Sequence, residues 1–271
     1  MLSYSREKGL FESNNTNWLH VDVTSDLHLD ILLQNMEPRK LEIEIKEFVS
    51  KMIEESETKE LLIIAGDISN SNKISLLLLQ EVSKHWGHVL VIPGNHDLQD
   101  LNREVERYEE LLKETKKTCK NIFFLKDEVE MFTHSGVKFA GTFMSYNLHS
   151  MENYIQWKDE MTDKIGLTRK FLNKRNVEDV DYYNSIINSV DVFVSHIPIV
   201  NLHGNNVTKN LFLNVDVNPF PEVLYISGHT HARRNSITHQ SEFNSLNVSY
   251  GYPYESKDKT ILQTILIERK Q

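Results

Sequence analysis

The chain has 271 residues, of which 39% are hydrophobic and 25% charged, and its mean hydropathy is −0.43. This length and composition fit a globular protein with a sizeable core, and the absence of any run of about 18 apolar residues excludes a membrane span. The net charge of −9 excludes an overall attraction to nucleic acid or to an anionic membrane surface.

The cysteine content and the N-terminal residues indicate the compartment. A single cysteine, Cys119, excludes an internal disulfide and a cysteine-based zinc site. The first residues lack the apolar segment of a secretory signal, so we expect a cytoplasmic protein. Because there is no repeat and no Pro-rich or Gly/Ser-rich linker, we expect one domain over residues 1–271. Its polar extension, at about residues 1–16, would be a flexible tail or a small edge element.

Nine apolar runs have the composition and alternation of β-strands. In chain order they are WLHVDVT, ELLIIAGD, HVLVIPGN, NIFFL, KFAGTF, VDVFVSH, EVLYISGH, SLNVSY and TILQTILIE. Helical spacing of apolar residues predicts helices around 41–53 and 101–112. Strands that alternate with helices in the first half, and follow one another more directly in the second, predict a layered α/β fold with mixed sheets.

The longest stretch without strand character runs from about residue 146 to residue 190. Its apolar residues are separated by many charges, which predicts helices inserted between two strands. Such an insertion could form a lid over a site, or it could simply cover one face of a sheet.

Asp, His and Asn, which are residue types that commonly bind metal ions, follow five of the predicted strands. They are Asp26 and His28, then Asp67, then Asn95, His96 and Asp97, then His196, and finally His229 and His231. In open α/β sheets the carboxyl ends of the strands face a common crevice, so these side chains can converge. Gly66, Gly94 and Gly228 precede three of the sets and allow a sharp turn or a close approach of the backbone. A set of Asp, His and Asn suits divalent metals such as Mn, Fe or Zn, and its size favours two ions.

The ordered blocks SDLH, AGD, PGNHD, SH and SGHTH resemble the signature of the calcineurin-like metallophosphoesterases. The family pattern is D-x-H, G-D, G-N-H-D/E, H and G-H-x-H. The resemblance implies a four-layer α/β/β/α sandwich of two mixed β-sheets flanked by helices, with the site along one rim. GTFMSYN and VSYGYPYE also resemble segments of a bacterial subgroup, although Ser145 stands where that subgroup has Trp.

The resemblance also implies roles for the site residues. Asp26, His28 and His231 would bind one divalent ion, and Asn95, His196 and His229 the other. Asp67 would bridge them, and a hydroxide shared by the ions would attack phosphorus in line. Manganese is the favoured metal, and Fe, Zn, Ni or Co also fit the ligand set.

Two further residues of the third block have implied catalytic roles. His96 would contact the phosphoryl group and donate a proton to the leaving oxygen. Asp97 would hold the other nitrogen of that imidazole, and its alternative role as the cap of a following helix is compatible with this one.

The expected function is therefore a dimetal-dependent hydrolase of phosphomonoesters or phosphodiesters, acting on a small phosphate ester. One alternative is a nuclease or a cyclic or linear nucleotide phosphodiesterase, steered by lysine and arginine clusters near residues 113–120 and 169–175. Another alternative is a scaffold that keeps the fold without catalysis, although every implied ligand is present. Nucleic acid is not the favoured substrate, no membrane partner is expected, and the oligomeric state stays open.

Three residues near the blocks have alternative interpretations. His203, in the loop after His196, could contact substrate or lie on the surface. Arg233 and Arg234, directly after the last block, could clamp a phosphate or form a solvated turn.

Overall fold

The computed structural model describes residues 4–5, 17–99, 104–161, 166–199, 217–231, 244–252, 254–255 and 260–269. Two β-sheets form the centre of the fold. The first sheet has the strand order β1-β11-β2-β3-β4-β5, with β2 to β5 parallel and the other two neighbours antiparallel. Its strands are β1 (Tyr4–Ser5), β2 (Trp18–Thr24), β3 (Leu61–Ala65), β4 (His88–Ile92), β5 (Ile122–Phe124) and β11 (Gln263–Glu268).

The second sheet has the order β10-β9-β8-β7-β6, in which only the β6–β7 pair is antiparallel. Its strands are β6 (Phe132–His134), β7 (Val137–Thr142), β8 (Val192–Ser195), β9 (Leu224–Ser227) and β10 (Asn244–Asn247). Both sheets are thus mixed and mainly parallel, so most of their strands direct their carboxyl ends toward one rim.

Helices flank the two sheets. They are α1 (Leu29–Leu33), α2 (Pro38–Glu55), α3 (Asn72–Val82), α4 (Asn95–Leu98), α5 (Glu104–Thr118), α6 (Met151–Glu160) and α7 (Arg169–Ile186). The α7 helix begins after Thr168, whose hydroxyl accepts a hydrogen bond from the backbone N–H of Phe171. Within the described ranges, none of the helices combines the length and the apolar character that crossing a membrane requires.

Alternation along the strands separates two hydrophobic clusters. In β3, Leu61 and Ile63 pack in the cluster between the sheets, together with residues of the second sheet such as Val194. Leu62 and Ile64 point the other way and belong to the cluster that includes the buried face of α2 and α3. Because successive strand residues face opposite sides, each sheet has one face on its partner and one on helices. The predicted four-layer fold is confirmed.

All the predicted strands and helices are present, and some elements of the structure were not predicted. All nine predicted strands are present, and β1 and β6, of two and three residues, were not predicted. The helix α3 was also missed, because its run of four leucines obscures helical spacing. Residues 146–190 contain the two helices α6 and α7, as predicted. Of the N-terminal extension, the structure describes β1, which pairs with β11 at the edge of the first sheet.

Candidate metal centre

The predicted ligands meet at the rim where five parallel strands end. Asp26 and His28 follow β2, Asp67 follows β3, and Asn95 follows β4. From the second sheet, His196 follows β8, and His229 and His231 follow β9. Six of these seven side chains belong to buried residues, and only His231 is half-buried. The topology therefore brings together residues that are up to 205 positions apart, from 26 to 231.

Several of these residues have left-handed backbone conformations. The positive φ angles are 54° at Asp26, 43° at His28, 57° at Asp67, 69° at His229 and 52° at His231. Non-glycine residues rarely adopt this region, at a cost of about 1 to 3 kcal/mol each, and those that do cluster at functional sites. The left-handed turn bends the chain directly after each strand.

Two glycines allow the backbone to approach the ligands closely. A Cβ atom at Gly94 would lie 2.1 Å from Asp67 Oδ1, and a Cβ atom at Gly228 would lie 2.6 Å from Asp26 Oδ2. No side chain fits at either position without displacing the carboxylate beside it. The predicted role of these glycines in close approach is confirmed.

The first group of candidate ligands consists of Asp26, His28 and His231. His28 Nε2 lies 3.1 Å from His231 Nε2, which lies 3.4 Å from Asp26 Oδ1. The Asp26 carboxylate is itself fixed, because it accepts the Ser25 hydroxyl at 2.5 Å and the backbone N–H of His229 at 2.9 Å. The three side chains offer one ligand atom each within the reach of a single ion.

The second group consists of Asn95, His196 and His229. Asn95 Oδ1 lies 3.0 Å from His196 Nε2 and 3.1 Å from His229 Nδ1. Asp67 lies between the groups, with Oδ2 3.2 Å from His196 Nε2 and 3.9 Å from His28 Nε2. One carboxylate thus reaches both groups, as a bridging ligand must.

This donor set fits divalent metal ions. Nitrogen and oxygen atoms that act as acceptors face one another at 3.0 to 3.9 Å in a buried space. Such atoms repel unless a proton or a cation lies among them. Imidazole, carboxylate and amide oxygen together suit Mn, Fe or Zn. His196 donates its Nδ1–H to the Ala65 carbonyl at 2.8 Å, which leaves Nε2 directed at Asp67 and available as a ligand.

The pKa values of the site residues indicate how strongly their side chains interact with one another. Burial outweighs the nearby carboxylates and lowers the pKa of His28 to about 4, and burial together with His196 lowers the pKa of His229 to about 3. Burial also acts to lower the pKa of His196, but the charge of Asp67 and a hydrogen bond to it prevail and raise that pKa to about 9. The pKa of Asp67 is correspondingly held well below its usual value, despite burial. Protons and metal ions therefore compete for the same atoms.

His96 lies at the edge of the centre, half-buried, with its ring edge-on to that of His28 at 4.6 Å. Its Nδ1 lies 3.1 Å from Asn70 Oδ1. The Asn70 amide group is oriented by Asp30, which accepts its Nδ2–H at 3.3 Å, so Oδ1 is the atom that faces His96. This contact leaves His96 Nε2 free of protein partners in the described part of the chain.

Asp97 does not contact the His96 ring, contrary to our prediction. Its carboxylate instead accepts the backbone N–H groups of Asp67 at 2.7 Å, Ile68 at 3.1 Å and Gly94 at 2.9 Å. By accepting the Gly94 N–H, Asp97 caps the start of α4. Burial and the charge of Asp67 raise its pKa to about 6. Asp97 therefore joins the two loops that carry Asp67 and Asn95, and Asn70 takes the place that sequence reasoning gave to Asp97.

Two partners of the ligand histidines were not predicted. The Tyr146 hydroxyl lies 3.1 Å from His229 Nε2, on the side of the ring opposite Asn95. Glu255 Oε2 lies 2.9 Å from His231 Nδ1 and accepts the backbone N–H of Tyr252 at 2.9 Å. Both partners come from GTFMSYN and VSYGYPYE, so their resemblance to subgroup segments was the available signal. His203, Arg233 and Arg234 lie outside the described residues.

Comparison with known proteins identifies the family of the chain. The family model of the calcineurin-like phosphoesterases matches residues 19–233. The chain therefore belongs to the calcineurin-like phosphoesterase family, and the resemblance read from the five blocks is confirmed.

Individual relatives are distant. An uncharacterized protein, L509, from Acanthamoeba polyphaga mimivirus is 24% identical over 201 residues, which is 63% of this chain and 71% of that protein. The crystal structure of phosphopantetheinyl hydrolase from Mycobacterium tuberculosis has a TM-score of 0.59 at 18% identity, over 90% of this chain and 94% of that one. A 5′-nucleotidase from Candida albicans has a TM-score of 0.41 at 14% identity, over 84% and 45%. At this identity the phosphopantetheinyl hydrolase supports the fold alone.

Proposed function

We propose that the protein is a dimetal-dependent hydrolase of phosphomonoesters or phosphodiesters. The observation that carries the proposal is the position of the Asp67 carboxylate, 3.2 Å from one group of ligand atoms and 3.9 Å from the other. Asp26, His28 and His231 would hold one ion, Asn95, His196 and His229 the second, and Asp67 both. Membership of the family supports the assignment to phosphate esters.

Divalent cations at this centre would supply positive charge that polarises phosphate oxygens and makes water a stronger nucleophile near neutral pH. The protein itself would contribute to catalysis by holding the ligand side chains rigidly and by transferring a proton. Buried hydrogen bonds fix Asp26 and His196 before any substrate arrives, so little reorganisation is needed during the reaction.

His96 is the proposed general acid. Because Asn70 Oδ1 accepts from Nδ1, the proton available for transfer is the one on Nε2. A protonated imidazole at the edge of the centre can contact a phosphoryl oxygen and donate that proton to the leaving oxygen. Asn70 and Asp30 would act through His96 by fixing its orientation.

The helix α7 is proposed to be a fixed part of a single domain and not part of a mobile lid. Asp179 of α7 is fully buried and accepts Lys126 Nζ at 2.6 Å, the Thr142 hydroxyl at 2.6 Å and the backbone N–H of Ser145 at 2.9 Å. The Ser145 hydroxyl in turn donates to the Leu172 carbonyl at 2.8 Å. Buried charged contacts of this kind are costly to break, which supports a fixed position of α7.

Hydrolysis of a paired set of substrates tests the proposed function. Purified protein reloaded with Mn²⁺ would be assayed on p-nitrophenyl phosphate and bis-p-nitrophenyl phosphate, with metal content measured in parallel. We expect hydrolysis of at least one, and the preferred ester distinguishes monoesterase from diesterase. Two bound ions without hydrolysis of any phosphate ester would contradict the proposal, and failure to bind metal would favour a scaffold.

Two variants separate metal binding from proton transfer. Asp67→Ala is expected to lose most bound metal and activity, because both groups lose a shared ligand. His96→Ala is expected to keep its metal content while the rate falls by about 10² to 10⁴. Loss of metal in His96→Ala would instead make His96 a ligand, which its ring position near His28 and Asp67 would permit.

A further inference from the structure

One short segment of the chain, residues 250–252 and 254–255, contacts every candidate ligand of the first group. The backbone N–H of Gly251 donates to the Asp26 carbonyl at 3.1 Å. Side chains of the same segment lie against His28 and His231. The segment, called here the Tyr252 segment, is therefore placed to control the geometry of this group.

Glu255 of the Tyr252 segment holds the imidazole of His231. Its Oε2 lies 2.9 Å from His231 Nδ1 and accepts the backbone N–H of Tyr252 at 2.9 Å. Because a carboxylate only accepts hydrogen bonds, Nδ1 is a nitrogen that carries a proton. Nε2, which lies 3.4 Å from Asp26 Oδ1, is then the nitrogen available to an ion. The contact thus fixes both the tautomer and the orientation of the ring, as ligation requires.

Tyr252 holds the ring of His28 by packing. His28 Nδ1 is buried and makes no hydrogen bond within the part of the chain that the structure describes. The Tyr252 ring packs against this imidazole at a centroid distance of 4.5 Å with an interplanar angle of 34°, and the His96 ring stands edge-on at 4.6 Å. Tyr252 also packs against His231, at a centroid distance of 4.5 Å. One tyrosine ring therefore limits the rotation of both histidines.

The histidines of the second group are oriented by other parts of the chain. His196 donates to the Ala65 carbonyl at 2.8 Å, and His229 lies 3.1 Å from the Tyr146 hydroxyl. Ala65 and Tyr146 are buried, whereas Glu255 is exposed. The second group is thus stabilised from the core, and the first group from a segment at the surface.

We infer that Glu255 and Tyr252 are positioning residues for the ion of the first group and not for the ion of the second. The inference rests on the proposed function, because it assumes that each group binds a divalent cation. It follows that the two ions differ in their dependence on the Tyr252 segment. Residues that orient a ligand histidine in this way contribute about 10- to 100-fold to metal affinity.

Titration calorimetry of Mn²⁺ into the metal-free full chain tests the inference, with the number of bound ions measured by elemental analysis. Glu255→Ala is expected to weaken the binding of one ion by about 10- to 100-fold and to leave the other unchanged. Glu255→Gln should lose less, because its amide oxygen can still accept from His231 Nδ1. Glu178→Ala removes an exposed carboxylate on α7 and should change neither affinity.

A double variant separates positioning from a general effect on the fold. In the His231→Ala background Glu255 has no imidazole to orient, so Glu255→Ala should cause no further loss of Mn²⁺ affinity. The role of the tyrosine is tested in the same way. Tyr252→Ala should weaken the binding of one ion, whereas Tyr252→Phe, which keeps the ring, should bind both ions like wild type.

Three results would overturn the inference and leave the proposed function intact. They are wild-type affinity for both ions in Glu255→Ala, equal weakening of both ions, and an undiminished additional loss in the His231→Ala background. Two bound ions without hydrolysis of any phosphate ester would contradict the proposed function alone, since the affinities would still decide the role of Glu255. Failure of the wild type to bind Mn²⁺ would overturn both.

Discussion

Replacement of Gly94 by alanine tests whether the position of the Asp67 carboxylate controls metal binding. The added Cβ atom would lie 2.1 Å from Asp67 Oδ1 and 2.5 Å from the Asp67 backbone nitrogen. Carbon and other heavy atoms ordinarily come no closer than about 3.5 Å. The Asp67 carboxylate oxygen must therefore move roughly 1.4 Å away from the added Cβ atom unless the backbone shifts. Neither movement preserves the site, because metal–ligand distances tolerate only about 0.2 Å.

The expected result is a selective loss of metal. We expect Mn²⁺ affinity in Gly94→Ala to fall by about 100-fold or more, since even loss of a residue that only orients a ligand costs about 10- to 100-fold. The metal-free protein should lose only about 1 to 3 kcal/mol of unfolding free energy, which is typical of overpacking. Metal content and affinity would be measured by elemental analysis and calorimetry, and unfolding by urea titration followed by circular dichroism.

Gly87→Ala is the matched control, because Gly87 lies at the opposite end of the same strand, β4. Its Cβ atom would lie 3.0 Å from the Glu60 carbonyl oxygen, a tight contact that is remote from the ligands. This variant should bind metal like wild type. If Gly94→Ala bound two ions with wild-type affinity, Asp67 could not be the shared ligand in the position seen here.

Three further predictions use other parts of the site. Tyr146→Phe removes only the hydroxyl beside His229, so Mn²⁺ affinity measured by calorimetry should fall by about 10-fold or more, whereas Tyr183→Phe, at a buried tyrosine that bonds Tyr225, should not change it. Asp179→Ala removes the buried carboxylate that pairs with Lys126, and Arg175 keeps only Asp127, so the unfolding free energy in urea should fall by about 3 to 5 kcal/mol; a loss below about 1 kcal/mol would refute a fixed position of α7. The raised pKa of His196, about 9 against 6.5 unfolded, stabilises the metal-free protein fully below pH 6.5, and roughly 3 kcal/mol is lost as pH rises from 6.5 to 9. Apparent metal affinity should rise over the same range, because the metal displaces that proton, and calorimetry without this pH dependence would contradict the role of His196.

The convergence of the proposed ligands could be predicted because each of them has a local signal in the sequence. Each one directly follows an apolar run, and glycines such as Gly94 mark the sites where the backbone passes close to another ligand. The arrangement of strands then follows from general rules for parallel sheets, which place successive carboxyl ends at one rim. Asp26 and His231 could each be identified from the residues next to them in the sequence, without reference to the other.

The partners of the ligands could not be predicted, because they depend on contacts between distant segments. Tyr146 and His229 are 83 positions apart, and no spacing in the sequence links them. Asp97 was misassigned for a related reason. A carboxylate beside a helix start and next to His96 suggested a local partner, but backbone N–H groups of Asp67 and Ile68, contributed by another strand end, compete for the same oxygens and prevail.

The left-handed backbone at the proposed ligands is stabilised by side chains that bind the same loops. Left-handed conformations at five proposed ligands cost about 1 to 3 kcal/mol each and persist only where the surroundings over-determine them. Asp97 supplies part of that support, since it binds backbone N–H groups of both loops, and Arg107 supplies more by donating to the Ser69 carbonyl at 2.9 Å and the His96 carbonyl at 3.1 Å. These contacts fix the loops so that the proposed ligand atoms lie close together, in positions from which they could share divalent cations. Asp97 and Arg107 would thereby contribute to metal binding without contacting an ion.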